Sequence, residues 1–192
     1  IMHTEPKDPN GQDLEAIIKE LELDKQGQVI ISTTKVPAEE LSCLYNMADC
    51  TINISDAEGF GLGTLESLAC ETPIIITMTG GMQEQVTDGL DNWFGIGIQP
   101  TAKSVIGSQD VPYIYEDRIS KEDFLEAMTT FYNTPLKERQ EMGTKGREHV
   151  LKEYGFAKYV GNWYQAFSHV FEKYGSWDNR KNYKSWEIIE IK

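Results

Sequence analysis

Four short runs rich in β-branched residues punctuate the first half of the chain: VIIS at 29–32, CTINIS at 50–55, PIIIT at 73–77 and FGIGI at 94–98. They are too short for helices and lie between segments of helical periodicity, so they read as strands. The intervening segments are long enough to cross over and bring successive strands in parallel, but too long for hairpins. Nearly continuous apolar runs suit strands covered on both faces. The expected fold class is therefore α/β, a Rossmann-like parallel sheet layered between helices. In such sheets ligands bind beyond the carboxyl ends of the strands.

The helices follow from spacing. Leu14, Ile17, Ile18 and Leu21 share one face of a helix over 12–23. Pro37 opens a second over 37–50, where a first-turn proline leaves no amide unsatisfied, and Glu39 and Glu40 suit the positive end of its dipole. Its buried stripe is Leu41, Leu44, Tyr45 and Ala48. A third helix, 61–70, turns Leu62, Leu65 and Ala69 to the core, and a short fourth covers 80–86. Residues 99–119 have loop character, with a short strand at 113–115, and read as an insertion without an assigned chemical role. Helices follow at 120–133, 136–152 and 156–173. The tail carries Trp177, Tyr183 and Trp186, large aromatics that call for an apolar surface.

Charge and composition narrow the function. A net charge of −13 over 192 residues disfavours nucleic acid and anionic lipid as partners. No apolar run approaches the ~20 residues of a membrane span. The start, IMHTEPKDPNGQD, is polar rather than signal-like, and its first residue, Ile1, suggests a piece of a longer chain. Cys43, Cys50 and Cys70 have no metal-ligand spacing and read as reduced core residues of a cytoplasmic protein. His3, His149 and His169 are scattered, and Asp8, Asp49 and Asp56 are isolated, so neither a metal nor a cofactor is expected.

One loop concentrates chemistry. After the strand at 50–55 comes EGFGLGTLE, in which seven residues separate Glu58 from Glu66. The GxGxxG dinucleotide pattern fails because residue 64 is threonine, and a Walker loop fails because no GK[ST] follows. A glycine turn feeding a helix still offers free backbone N–H groups of Gly59, Phe60, Gly61 and Leu62 to an anion. Glu66, one turn into the helix, is badly placed for phosphate but could accept hydrogen bonds from a ribose diol, with Glu58 left for a group beyond the distal phosphate. Gly80 and Gly81 make a second glycine entrance at the same sheet edge. The plain alternative is a tight turn followed by a glutamate that the helix dipole favours.

EGFGLGTLESLACETPIIITMTGG resembles the donor-binding C-terminal domain of retaining GT-B glycosyltransferases of family 4, glycosyltransferase group 1, whose pattern is EGFGL…LEAMACG.P…GG. PAEELSCLYNMADCTINIS upstream and MQEQVTDG downstream resemble the family too. The likeness is specific over 10–90 and general over 120–170, where MGTKGREHV matches an arginine-containing segment. It implies that Glu58 contacts the transferred sugar and acts in catalysis. It implies that Phe60, Gly61 and Leu62 meet the distal phosphate, that Glu66 binds ribose, that Thr33, Thr34, Lys35 and Val36 line the base pocket, and that Gly80 and Gly81 border the cleft. The implied activity is transfer of a sugar, hexosyltransferase-type, from a nucleotide-sugar donor to a hydroxyl acceptor, without metal. The acceptor would be held mainly by an N-terminal domain outside this chain. A non-catalytic nucleotide-sugar-binding module of the same fold is the alternative; a sugar-nucleotide epimerase and a purely structural phosphate binder fit the motif less well. The implied layout is one domain over 1–176 that lacks its first strand, with 177–192 packing on it or on the N-terminal domain. Gly63 and Thr64 replace a proline-containing segment of the family, and Glu71 stands where the family has glycine. The diphosphate-neutralising arginine and lysine of the family lie upstream of its matching segment, leaving Lys7 and Lys35 as weak substitutes.

Overall fold

The computed structural model describes residues 1–9, 11–181 and 189. The chain divides into two compact units, Ile1–Cys43 and Leu44–Lys192. In the first, β1 (Met2–His3) and β2 (Ile31–Ser32) pair in parallel. The sequence gives no warning of β1, whose partner lies across a helix. That helix, α1 (Leu14–Glu20), is capped by the Asp13 carboxylate, which accepts from the Ala16 N–H at 3.0 Å. It is shorter than 12–23 because Glu22 turns to a positive φ of 56°. Leu14 and Ile18 are half-buried, while Ile17 and Leu21 are exposed. Helix α2 (Ala38–Met47) follows, with Leu41, Leu44, Tyr45 and Ala48 half-buried as their spacing predicts.

The second unit is built on a parallel sheet, β3 (Thr51–Asn53), β4 (Ile74–Thr77) and β5 (Gly95–Ile98), in that order. The register sets Ile75 beside Ile52 on one side and Ile96 on the other. Alternation along β4 then sorts its isoleucines. Ile74 and Ile76 pack with Leu68 of α3 (Leu62–Ala69), Met82 and Val86 of α4 (Met82–Val86), Phe94, and Val150 of α6 (Leu136–Glu153). Ile75 faces the other way, with Ile98 and with Ala127 and Phe131 of α5 (Lys121–Asn133). All three are at most 1% exposed, each contributing about 1.5–3 kcal/mol by burial. The expected α/β layering of a parallel sheet between helices is what forms. α7 (Phe156–Tyr174) follows α6.

Three expectations need correction. Residues 99–119 hold more than a loop with one short strand: the strand read at 113–115 belongs to β7 (Ile114–Arg118), which pairs with β6 (Ala102–Ile106) in an antiparallel hairpin; its alternation is weak because both strands carry apolar and polar residues that meet solvent. Helix α3 presents Thr64, Ser67 and Leu68 to the interior, all 0% exposed, whereas Leu62 is 67% exposed. The two hydroxyls tolerate burial because each has partners: Ser67 lies 2.7 Å from the Thr51 hydroxyl and 2.9 Å from the Thr72 carbonyl. The cysteines are not fully buried: Cys43 is exposed, Cys70 is half-buried, and Cys50 is half-buried against the core around Ile75, all three as free thiols. Glu71 is exposed yet adopts φ 62°, a conformation costing roughly 1–2 kcal/mol in a residue with a Cβ. Its carboxylate accepts from the Thr144 hydroxyl at 3.4 Å and lies 3.8 Å from the Arg147 guanidinium.

Along α7, Phe156, Tyr159, Trp163 and Phe167 form a ladder of ring contacts on an exposed face. Trp177 is 83% exposed and carries the Arg180 guanidinium 3.8 Å above its ring. Tyr183 and Trp186 lie outside the described residues.

Candidate functional site

The segment between β3 and α3 meets the segment between β4 and α4 at the carboxyl end of the sheet. Gly80 sits at φ 50°, and a Cβ on it would come within 1.6 Å of the Glu58 carbonyl oxygen. Only glycine permits that approach. The Gly81 N–H donates to the Gly59 carbonyl at 3.1 Å. The two glycine entrances are thus joined backbone to backbone.

Beneath the turn lies a buried polar pair that the sequence did not single out. The Gln85 amide donates from Nε2 to the Phe60 carbonyl at 2.6 Å. The Thr64 hydroxyl lies 2.6 Å from Gln85 Oε1 and 2.8 Å from the Gly61 carbonyl. Gly61 closes the turn at φ 87° as the N-cap of α3, with no side chain capping the helix.

These contacts fix where the free N–H groups point. All peptide bonds here are trans, so each carbonyl and the following N–H point in opposite directions. The Gly59 carbonyl is aimed at Gly81 and the Phe60 carbonyl at Gln85; the N–H groups of Phe60 and Gly61 therefore face away from both. Together with the Leu62 N–H, they have no backbone or side-chain acceptor among the described residues. Uncapped donors at the positive end of a helix dipole are suited to an anion.

The two glutamates differ in surroundings. Glu58 is half-buried at the start of the turn. Glu66 is exposed on α3, beyond its first turn, which contains no acidic residue; dipole preference alone does not account for it. Its Oε2 accepts from the Tyr45 hydroxyl at 3.0 Å. Burial, then the Glu66 hydrogen bond, raises the Tyr45 pKa well above the ordinary phenol range, so this hydroxyl stays a donor and fixes the carboxylate. Tyr45 reads from sequence as part of a helical stripe only. Phe60, 43% exposed, rests edge-on against Tyr154 with centroids 5.8 Å apart. Tyr154 and His149 both donate to the Glu84 carbonyl, at 3.2 and 2.9 Å, which gives this histidine a packing role.

The structure therefore brings Glu58, Phe60, Gly61, Leu62, Glu66, Gly80 and Gly81 together in one unit. Thr33, Thr34, Lys35 and Val36 form the loop after β2 in the other unit, the first three exposed and Val36 half-buried. Lys7 is engaged by Glu15 at 2.7 Å, a contact that raises its pKa. Among the described residues no cluster of three or more His, Cys, Asp or Glu side chains is disposed to hold a metal, and no helix is long and apolar enough to cross a membrane.

The chain is similar to known proteins. A D-inositol 3-phosphate glycosyltransferase of Streptosporangium roseum is 41% identical over 64 residues, 33% of this chain and 15% of that protein. D-inositol 3-phosphate glycosyltransferase 2 of Catenulispora acidiphila is 33% identical over 84 residues, 43% of this chain and 20% of that protein. The matched segments thus span a fifth or less of these relatives. Among solved structures, sucrose-phosphate synthase from Thermosynechococcus elongatus superposes with a TM-score of 0.63 at 21% identity, over 86% of this chain and 37% of that one, a likeness of fold. The profile of the family described as glycosyl transferases group 1 matches residues 8–149. With its parallel sheet, glycine turn and paired glutamates inside that span, the chain belongs to the glycosyl transferases group 1 family.

Proposed function

We propose that this chain is the donor-binding, C-terminal half of a GT-B retaining glycosyltransferase of family 4, acting in the cytoplasm as part of a longer protein. The observation that carries the reading is the turn from Glu58 to Leu62, whose unbonded N–H groups face away from the buried Gln85 and are bracketed by two carboxylates. The N–H groups of Phe60, Gly61 and Leu62 take the distal phosphate. Glu66, held by Tyr45, takes the ribose hydroxyls. Glu58 meets the transferred sugar, Gly80 and Gly81 border it, and Thr33, Thr34, Lys35 and Val36 line the base pocket. The family match runs over residues 8–149, which supports reading 1–176 as one donor domain.

Chemically, departure of the nucleotide diphosphate leaves negative charge on the phosphate and positive character on the sugar. N–H donors fixed in advance stabilise the first without reorganising, and the Glu58 carboxylate stabilises the second. The acceptor hydroxyl then attacks on the face that the phosphate vacates and passes its proton to the departing diphosphate, so configuration is retained. The glutamates are not a glycosidase pair, since Glu66 serves the ribose rather than the reacting carbon.

Titration calorimetry with UDP and GDP tests the donor assignment. Glu66→Ala is expected to weaken the bound nucleotide about tenfold, the scale of a lost charge-assisted hydrogen bond; unchanged affinity would remove the ribose role. Tyr45→Phe should cost less, because the carboxylate remains. In the full-length protein Glu58→Ala should lower kcat/KM by about a hundredfold or more; unaltered turnover would instead favour the alternative of a non-catalytic nucleotide-sugar-binding module.

A further inference from the structure

The hairpin of β6 and β7 has no part in the donor assignment, yet its base reaches both loops of the turn. The Asp117 N–H donates to the Asp56 carbonyl at 2.7 Å, two residues before Glu58. The Asp117 carboxylate accepts from the Thr79 hydroxyl at 2.7 Å, one residue before Gly80. Its other oxygen lies 3.3 Å from Lys103 Nζ on the facing strand. Next to it, the Arg118 guanidinium pairs with the carboxylates of Asp56 and Glu116. The Thr101 N–H donates to the Arg118 carbonyl at 2.8 Å and closes the hairpin base.

One residue thus grips the loop after β3 through its backbone and the loop after β4 through its side chain. The Thr79 residue is 5% exposed and the Asp117 side chain 19% exposed. Gly59 and Phe60, on the outer side of the turn, are exposed, so the contacts at Asp56 and Thr79 add to those that hold their carbonyls. A turn that stabilises charge through aimed N–H groups gains only when those groups are fixed before the ligand arrives.

We propose that Asp117, acting through Thr79 and Asp56, is a positioning residue for the donor turn: the β6–β7 hairpin sets the spacing between the loop carrying Glu58 and the loop carrying Gly80 and Gly81. The proposal rests on the donor-site reading. It places the effect at the distal phosphate and the sugar, which the two loops address, and not at the ribose, which Glu66 addresses from α3.

The test compares nucleoside diphosphates with monophosphates. UDP, UMP, GDP and GMP are titrated into the wild-type chain and into Asp117→Ala, Thr79→Val, Thr79→Ser and Glu66→Ala, with thermal unfolding of each variant. Thr79→Val is close in shape and keeps a folded comparison should Asp117→Ala fail to fold. Asp117→Ala and Thr79→Val are expected to weaken the bound diphosphate about tenfold and leave the matching monophosphate within about twofold. Thr79→Ser, which keeps the hydroxyl, should restore the diphosphate affinity. Glu66→Ala should weaken both ligands. Equal loss of mono- and diphosphate, or no loss, in Asp117→Ala and Thr79→Val overturns the positioning role alone when Glu66→Ala still weakens binding. A wild-type chain that binds neither UDP nor GDP overturns the donor reading and this proposal with it.

Discussion

Below the donor turn, Thr64 and Gln85 are uncharged and 0% exposed. Beside it, Asp117, Arg118 and Asp56 are charged, with side chains 19%, 42% and 39% exposed. Both networks hold the turn, at different residues and by different physics: the neutral one binds the Phe60 and Gly61 carbonyls, and the charged one binds Asp56 and Thr79. Burial makes each neutral hydrogen bond hard to lose, because a stranded partner is not rehydrated. Partial exposure makes the charged contacts individually weak and responsive to salt and pH. The neutral network therefore supplies stability that conditions do not change, and the charged one supplies a constraint that conditions can loosen.

Where the two loops touch, the contrast has its limiting case. Gly80→Ala would drive a Cβ into the Glu58 carbonyl at a positive φ, and the expected cost is about 3–5 kcal/mol in urea unfolding, or loss of folding. A near-neutral result would mean that the loops do not hold this approach in solution. Gln85→Leu keeps volume but strands the Phe60 carbonyl and takes one of two acceptors from the Thr64 hydroxyl, for a loss of about 2–3 kcal/mol. That loss should be the same at pH 5 and pH 8 and at low and high salt; dependence on either would erase the distinction between the networks. Arg118→Gln should cost about 0–1 kcal/mol at low ionic strength and nothing measurable in high salt.

The pH arm has a definite sign. The Thr79 hydrogen bond, then Lys103, hold the Asp117 carboxyl below the usual carboxylate range against the opposing effect of burial. A group with a lowered folded pKa contributes stability above its unfolded pKa of about 3.9 and loses it as pH falls through the folded value. Unfolding of wild type and Asp117→Asn should therefore differ most above about pH 4 and converge in stronger acid. Parallel curves through that window would show that Asp117 titrates alike in both states.

What was legible in the sequence follows the same division. PIIIT could only be a doubly covered strand, and β4 is buried along its length. The closing helices stood out because their periodicity is local, and α5, α6 and α7 begin and end within a residue or so of expectation. The pattern that nominates Glu58, Phe60, Gly61 and Glu66 as site residues is also local, contained in nine residues. The supports of those residues are not. Thr64 and Gln85 are 21 residues apart, and Arg118 and Asp56 are 62 apart. A buried glutamine reads as a surface residue until its partners are in place. The rotation of α3 has the same origin: Leu62 looks apolar enough for the core, but Thr64 and Ser67 have hydrogen-bond partners inside and so take the inward face. The hairpin was missed because its strands gain their meaning from the loops they hold rather than from an apolar face.

The aromatic ladder on α7 bears on how copies of the chain behave together in concentrated solution. Phe156, Tyr159 and Phe167 are 79%, 57% and 64% exposed, an oily strip along a helix of 19 residues. Short-range attraction between such strips is opposed by mutual repulsion of chains carrying a net charge of −13. That repulsion reaches about 10 Å at 0.1 M salt and about 3 Å at 1 M, whereas the attraction between apolar strips is not screened. The colloidal state is consequently set by ionic strength, and light scattering should show association growing as salt is added, the reverse of what a chain held together by its ion pairs would do.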